Sequence, residues 1–303
     1  MCGISGIMYK KSSDRDSAPI GSELVKMLDA LAHRGRDSTG ITIAGEKTAE
    51  DYIVRTWTNA EQASDVMAKA EEAIIRTGAV VASSTYLNGF GRLTVNYEGK
   101  VSDLASALVN TKDIELHSIG ESSEIIKDVG TATSIDTIHQ ISRFRGTHGI
   151  GHVRMATESK IDINHAHPFW AYPFPDVTVV HNGQLTNYHK LKHMYEDQGH
   201  RFQTGNDSEI IAVYLADKLA NGDTLDSALQ QSLNDLDGTF TYLVSTRNGL
   251  GYAKDQWAAK PLVAMETDDI IALASEEIAL RSIIDTVEDR VEPQESEVMT
   301  WSV

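Results

Sequence analysis

The 303-residue sequence predicts an α+β fold organised as one domain. Three observations carry that expectation. Strand-like and helical segments interleave along the whole chain, two close pairs of strands carry hairpin turn signals, and no internal repeat, low-complexity tract or Pro/Gly/Ser linker divides the sequence.

Residues 1–9 are small, apolar and rich in Ile, which reads as a buried strand with the only cysteine, Cys2, at its beginning. Ser22 is placed to cap a helix that stacks Leu24, Leu28 and Leu31 on one face, with Gly35 closing it. Residues 41–44 and 52–57 read as strands, 60–76 as a helix, 78–87 as a strand, and 121–128 and 135–144 as helices. The second half opens with strands at 148–154 and 177–181. Helices follow at 186–198, stopped by Gly199, at 207–220, stopped near Gly222, and at 225–236. Residues 239–246 alternate as a strand, and Asn248-Gly249 turns them into a second strand at 250–253. A further hairpin pairs 263–266 with 270–274 around residues 267–269, before a short helix and a last strand near 298–301.

Composition excludes several classes of function. A formal charge of −17, from 44 acids against 27 Lys and Arg, opposes a sequence-independent grip on phosphate backbones, so nucleic acid is not an expected partner. No run of about 18 apolar residues is present to span a bilayer, and the start lacks a secretory h-region, so the expected location is the cytoplasm with no membrane role. One cysteine forms no internal disulfide, no four-thiolate zinc site and no self-contained iron–sulfur cluster. His165 and His167 are two apart, which on a strand would place both on one face, yet no carboxylate or thiol stands at a ligand interval from them. No metal is expected.

Removal of Met1 would leave Cys2 with a thiol and a free α-amine on one residue. The amine, with an unperturbed pKa near about 7.7 to 8.0, would then serve the thiol as its base. By itself a cysteine in this position is more simply a small buried side chain. The opening Met-Cys-Gly-Ile, however, resembles that of class II, N-terminal-nucleophile glutamine amidotransferases. Further blocks follow in that family's order: His33 to Ser38, Gly151 to Thr157, His167-Pro168-Phe169, His181-Asn182-Gly183, Gly205 to Glu209 and Leu236-Asp237-Gly238. The resemblance implies the four-layer αββα sandwich of N-terminal-nucleophile hydrolases, with Cys2 as nucleophile and glutamine as substrate.

It also implies that the Asn182 side-chain amide and the Gly183 N–H form an oxyanion hole, a role that needs donors aimed at a developing negative charge. Asn-Gly alone is equally a turn dipeptide. Arg154 is implied to hold the substrate α-carboxylate, with Thr157 supporting it, and Asp207 to hold the α-ammonium, while His167 orders the pocket. Read without the family, Arg154 makes a surface salt bridge and Asp207 opens a helix with Asn206 as cap and Glu209 as capping-box partner.

The span at about 46–147, Arg201 to Thr204, Lys260-Pro261 and Ala274-Ser275-Glu276 narrow the resemblance to the small amidotransferase subunit of glutamate-synthase-like complexes, including N-methylglutamate synthase. That branch implies one amidotransferase domain over 1–303 with a family-specific insertion at about 46–147. It implies no cofactor on this chain, FMN and an iron–sulfur cluster on partner synthase subunits, and ammonia passed to them. Two positions depart from relatives. Glu158 stands where several carry histidine or asparagine, and Met155 replaces the tryptophan of the sugar-amidotransferase branch. The alternative is a catalytically idle subunit of the same complex that binds glutamine or glutamate as a regulator.

Overall fold

The computed structural model describes residues 2–10, 18–156, 161–287 and 289–303. From the start of the chain the elements are β1 (Gly3–Tyr9), α1 (Ile20–Ala30), β2 (Ser38–Ala44), β3 (Tyr52–Trp57), α2 (Ala63–Arg76), β4 (Val80–Leu87), β5 (Phe90–Asn96), α3 (Val101–Val109), β6 (Glu115–Gly120), β7 (Ser123–Val129), α4 (Ala132–His139) and β8 (His148–Arg154). They continue with β9 (Phe169–Trp170), β10 (Thr178–Leu185), α5 (Tyr188–Asp197), α6 (Asp207–Ala220), α7 (Leu225–Asp235), β11 (Gly238–Thr246), β12 (Gly249–Lys254), β13 (Val263–Glu266), β14 (Ile270–Ala274), α8 (Glu277–Arg281) and β15 (Val298–Ser302).

Among the described residues three sheets form, of six strands (β13-β14-β1-β8-β2-β7), five strands (β15-β12-β11-β10-β9) and four strands (β4-β5-β3-β6). Every strand pair is antiparallel. The first two sheets stack face to face. Ile4 and Met8 of β1, Ile150, Val180, Leu243 and Leu273 fill the space between them. Alternation along β1 sends Ile7 to the opposite face, against Leu24, Leu28 and Leu31 from the α1 region. On the outer side of the five-stranded sheet, α6 and α7 pack through Ile210, Tyr214 and Leu229 onto Val179, Phe240 and Tyr242. The order helix, sheet, sheet, helix is the four-layer αββα arrangement. Residues 208–216 of α6 are all buried, and a helix apolar around its circumference belongs in such an enclosed layer.

The third sheet carries α2 and α3 and buries Val54, Leu93 and Ile119 with Trp170 and Tyr172. It is pinned to the core by Glu124 on β7, whose carboxylate meets Arg55 Nη2 at 2.5 Å and Arg92 Nε at 2.9 Å. Burial alone would raise the Glu124 pKa, but the Arg55 charge and the hydrogen bonds from both arginines hold it below the usual range.

Several expectations change. Helix α1 starts at Ile20, two residues before Ser22, behind Pro19, which makes no side-chain cap; Gly35 lies beyond its end, past a turn. Residues 121–128 contain strand β7 and not a helix. Ile125 packs toward the third sheet and Ile126 toward α1, so both faces are apolar and the two-residue period vanishes. The segments β5, α3 and β6, unread in the sequence, complete the third sheet. Glu209 is no capping-box partner: its carboxylate accepts from Gln203 N, Thr204 N and Thr204 Oγ1 at 2.7 to 2.8 Å, while Asn206 caps α6 by accepting from Ser208 N at 2.9 Å.

Candidate active site

A cavity of about 250 Å³ opens at the shared end of the two stacked sheets and is lined by Cys2, Arg154, His167, Asn182, Gly183 and Asp207, together with Arg34 and Lys260. Six of the seven residues singled out in the sequence therefore meet in one place, although they come from five separate stretches of chain. Thr157, the seventh, lies outside the described residues, as does Glu158.

Cys2 enters from the end of β1. Its neighbour Gly3 pairs with Val153 on β8, which sets the cysteine beside the Arg154–Met155 corner. The sulfur takes a weak hydrogen bond from Met155 N at 3.5 Å. The Cys2 carbonyl oxygen is held from two sides, by Arg34 Nε at 2.8 Å and by Asn182 Nδ2 at 3.2 Å. Arg34, only 7% exposed, is fixed by Glu276, whose two oxygens meet Arg34 Nη1 at 2.5 Å and His33 Nε2 at 2.9 Å. Although burial acts to raise the Glu276 pKa, those two hydrogen bonds lower it below the usual carboxylate range.

Asn182 and Gly183 are not a turn. They sit within β10, opposite Thr241 and Phe240 of β11. Asn182 Nδ2 also reaches Ser275 Oγ at 3.1 Å, so two contacts set its orientation. Gly183 has φ +145°, and a Cβ there would come within 2.1 Å of the Thr239 carbonyl oxygen. Only glycine fits at that crossing. Gly35 is needed for a related reason: a Cβ would lie 2.4 Å from the Arg154 carbonyl carbon, so this loop can pass directly over the end of β8.

Arg154 is 5% exposed, too buried for the surface salt bridge a lone arginine usually makes. Asp207 opens α6, and its Oδ2 accepts from Leu185 N at 2.8 Å while Oδ1 lies 3.8 Å from His181 Nδ1. The carboxylate thus has both a helix-start position and a place on the cavity wall. His165 and His167 lie in no strand. His165 Nδ1 binds Asp162 Oδ1 at 2.6 Å, whereas His167 stacks on His152 with ring centroids 4.0 Å apart. Among the described residues no group of three or more His, Cys, Asp or Glu is placed to hold a metal ion.

Three buried histidines back the cavity. His167 Nδ1 accepts from His181 N at 3.2 Å, and His181 Nδ1 pairs with Ser208 Oγ at 2.9 Å. Burial lowers the pKa of all three, to about 3 for His152, with Arg154 and the neighbouring imidazoles adding to the shift at His152 and His167. Their depressed affinity for protons contributes stability that is fully present above the unfolded value of about 6.5 and is lost as pH falls toward the folded value. Urea midpoints should therefore drop between pH 7 and pH 5, by up to about 1.4 kcal/mol per pH unit for each such histidine. A His152→Gln chain should lose less over the same interval, and an equal loss in both chains would contradict the assignment.

Arg34, Ser275, Glu276, His152 and Lys260 border or brace this site without having been given a role in the sequence. Their signal was local: each lies inside or beside a block that resembled the family, but a spacing along the chain does not show which side chains converge.

Residues 152–282 match the glutamine amidotransferase domain family. A putative glutamine amidotransferase of Methanothermobacter thermautotrophicus is 39% identical to this chain, over 98% of it and 99% of the relative. The glutamine amidotransferase-like protein GlxB of Rhizobium meliloti is 35% identical over 99% of this chain and 98% of its own. The chain belongs to the class II glutamine amidotransferases. An enzyme described as the allosteric regulatory enzyme of purine biosynthesis superposes on this amidotransferase with a TM-score of 0.63 at 21% identity, over 99% of the chain and 46% of that structure. The glutamine phosphoribosylpyrophosphate amidotransferase from B. subtilis does so with 0.61 at 20%, over 99% and 47%. The chain thus spans about half the length of these solved structures, which share its N-terminal-nucleophile hydrolase fold. The activity of the family is glutamine-dependent amide transfer. No helix among the described residues is long and apolar enough to cross a membrane.

Proposed function

We propose that this amidotransferase is the glutaminase subunit of a glutamate-synthase-like complex, of the glutamate synthase or N-methylglutamate synthase type. Cys2, exposed by removal of Met1, attacks glutamine and the released ammonia passes to a partner synthase. The observation that carries the reading is the meeting of one thiol, one side-chain amide, one buried guanidinium and one carboxylate around a cavity suited to a single amino acid.

The Cys2 α-amine takes the thiol proton, and the sulfur bonds to the carboxamide carbon of glutamine, pushing its carbonyl electrons onto oxygen. Asn182 Nδ2 and the Gly183 N–H receive that oxyanion. For Asn182 the oxyanion replaces the Cys2 carbonyl oxygen, which Arg34 continues to hold. The amine returns its proton to the leaving nitrogen, ammonia departs and a thioester remains. Water, deprotonated by the same amine, then releases glutamate and restores the thiol. Arg154 pairs with the substrate α-carboxylate, with Thr157 beside it, Asp207 pairs with the α-ammonium, and His167 keeps the wall in register.

The chain acts as one domain over 1–303, with an insertion at about 46–147 that supplies the third sheet. In complexes of that type, FMN and an iron–sulfur cluster would belong to the partner subunits. The workplace is the cytoplasm. Treatment with 6-diazo-5-oxo-norleucine followed by intact-mass measurement should show a chain lacking Met1 and carrying one adduct on Cys2. Purification of the native complex should recover flavin-bearing and iron–sulfur subunits. Correctly processed chain without an adduct would instead make this an idle regulatory subunit, and recovery of a sugar-phosphate or nucleotide enzyme would overturn the partner.

A further inference from the structure

A second cavity, of about 350 Å³, lies between the third sheet and the five-stranded sheet, and Cys2 is not part of its lining. Its walls are chemically uneven. Phe169, Trp170, Tyr172 and Phe202 give it an aromatic lining, and the polar groups among them fall into two kinds.

Some are already satisfied. Glu209 spends its oxygens on the 203–204 loop, and Lys127 Nζ donates to the Ala166 carbonyl oxygen at 2.9 Å. Others are not. His117 is 6% exposed with no partner at Nε2, and Glu115, anchored through Oε1 by Asn164 Nδ2 at 2.9 Å, has no partner at its buried Oε2. Burial drives the His117 pKa well down and raises that of Glu115, with Lys127 adding to the shift at His117. The imidazole is therefore neutral. On the exposed rim, the guanidinium of Arg201 has no ion-pair partner among the described residues. Buried polar atoms without partners are rare in folded proteins, because each gives up water for nothing. Here they line one cavity with an aromatic wall.

We propose that this cavity is a second ligand site, for a small zwitterionic amino acid with an apolar side chain, distinct from the glutamine pocket. Its ammonium donates to Glu115 Oε2 and to the neutral His117 Nε2, its carboxylate faces Arg201, and its apolar side chain lies against Trp170 and Tyr172. A purely anionic ligand would meet Glu115 and Glu209, and a purely cationic one would meet Lys127 and Arg201, so the zwitterion is the charge type that both halves of the lining accept. The occupant would abut the glutamine pocket, because the Ala166 carbonyl held by Lys127 precedes His167 and Glu209 follows Asp207 by two residues.

Calorimetric titration of the full chain with L-phenylalanine, L-leucine and L-valine tests this, and it needs no glutaminase activity. At least one probe should bind with 1:1 stoichiometry. Glu115→Gln and Arg201→Ala, each confirmed as folded by an unchanged thermal midpoint, should weaken that probe about tenfold, the loss expected for one charge-assisted contact. Asp207→Asn should leave it unaltered. Absence of binding by all three probes at millimolar concentration would overturn the proposal, and so would binding that is lost in the Asp207 variant but kept in the other two.

Discussion

Replacing Cys2 with alanine is expected to lower glutamine hydrolysis by at least about a thousandfold, the scale seen when a covalent nucleophile is removed, while leaving glutamine affinity within a few fold. The separation follows from the geometry. Asp207, which would grip the amino-acid end, bonds Leu185 N and faces His181 rather than the Cys2 side chain, and Arg34 and Asn182 hold the Cys2 main-chain oxygen that alanine retains. Ammonia release at saturating glutamine, alongside calorimetry with glutamine on the variant, reads both quantities. Residual turnover above about a hundredth of the wild-type rate would place the nucleophile elsewhere.

The second large effect belongs to Asn182. Its Nδ2 stands 3.2 Å from the Cys2 carbonyl oxygen and 3.1 Å from Ser275 Oγ, so Asn182→Ala removes an oriented donor next to the reacting sulfur without opening the strand ladder of β10 and β11. Loss of one oxyanion donor costs about 100 to 1,000-fold in kcat. KM should change little. Asn182→Asp should be at least as damaging, because a carboxylate of the same shape places negative charge where negative charge develops. A kcat within about tenfold of wild type in the alanine chain would show that Asn182 stabilises no transition-state charge.

Much of this molecule was legible from short-range chemistry. The bounds of α6 and the pairing of β13 with β14 agree with the sequence reading, because Asn206 is a strong cap and residues 267–269 form a local turn. A hairpin joins β11 to β12 as expected, but its two turn residues are Arg247 and Asn248, because Gly249 already lies in β12 opposite Thr246. The same Asn-Gly dipeptide at Asn88-Gly89, where φ is +50° and +84°, forms the two-residue turn that joins β4 to β5. Residues 121–128 lack the two-residue period of a half-buried strand because Ile125 and Ile126 both face apolar layers in β7. What decides their fate is tertiary: Glu124 answers Arg55 and Arg92, and Lys127 answers Ala166.

The site was legible as a set of residues but not as an arrangement. Cys2, Arg154, Asn182 and Asp207 were identifiable from the blocks that contain them, whereas the Arg34–Glu276 pair spans 242 positions and has no local signature. The Asn182-Gly183 dipeptide shows the difference in one place. Locally it is a turn signal, yet the close approach of Thr239 across the ladder makes it a strand position that tolerates only glycine.

Strand β1 lies between β8 and β14, so the stretch that follows Cys2 is flanked on one edge by positions 148–153 and on the other by positions 270–274. During synthesis this strand gains its second neighbour, β14, only long after β8, and closing so long a loop is slow. A nascent chain halted before Ile270 would hold its thiol on an unzipped edge, without Ser275 or Glu276 to set Asn182 and Arg34. Under the proposed chemistry, a fragment that stops before residues 270–276 would therefore not hydrolyse glutamine.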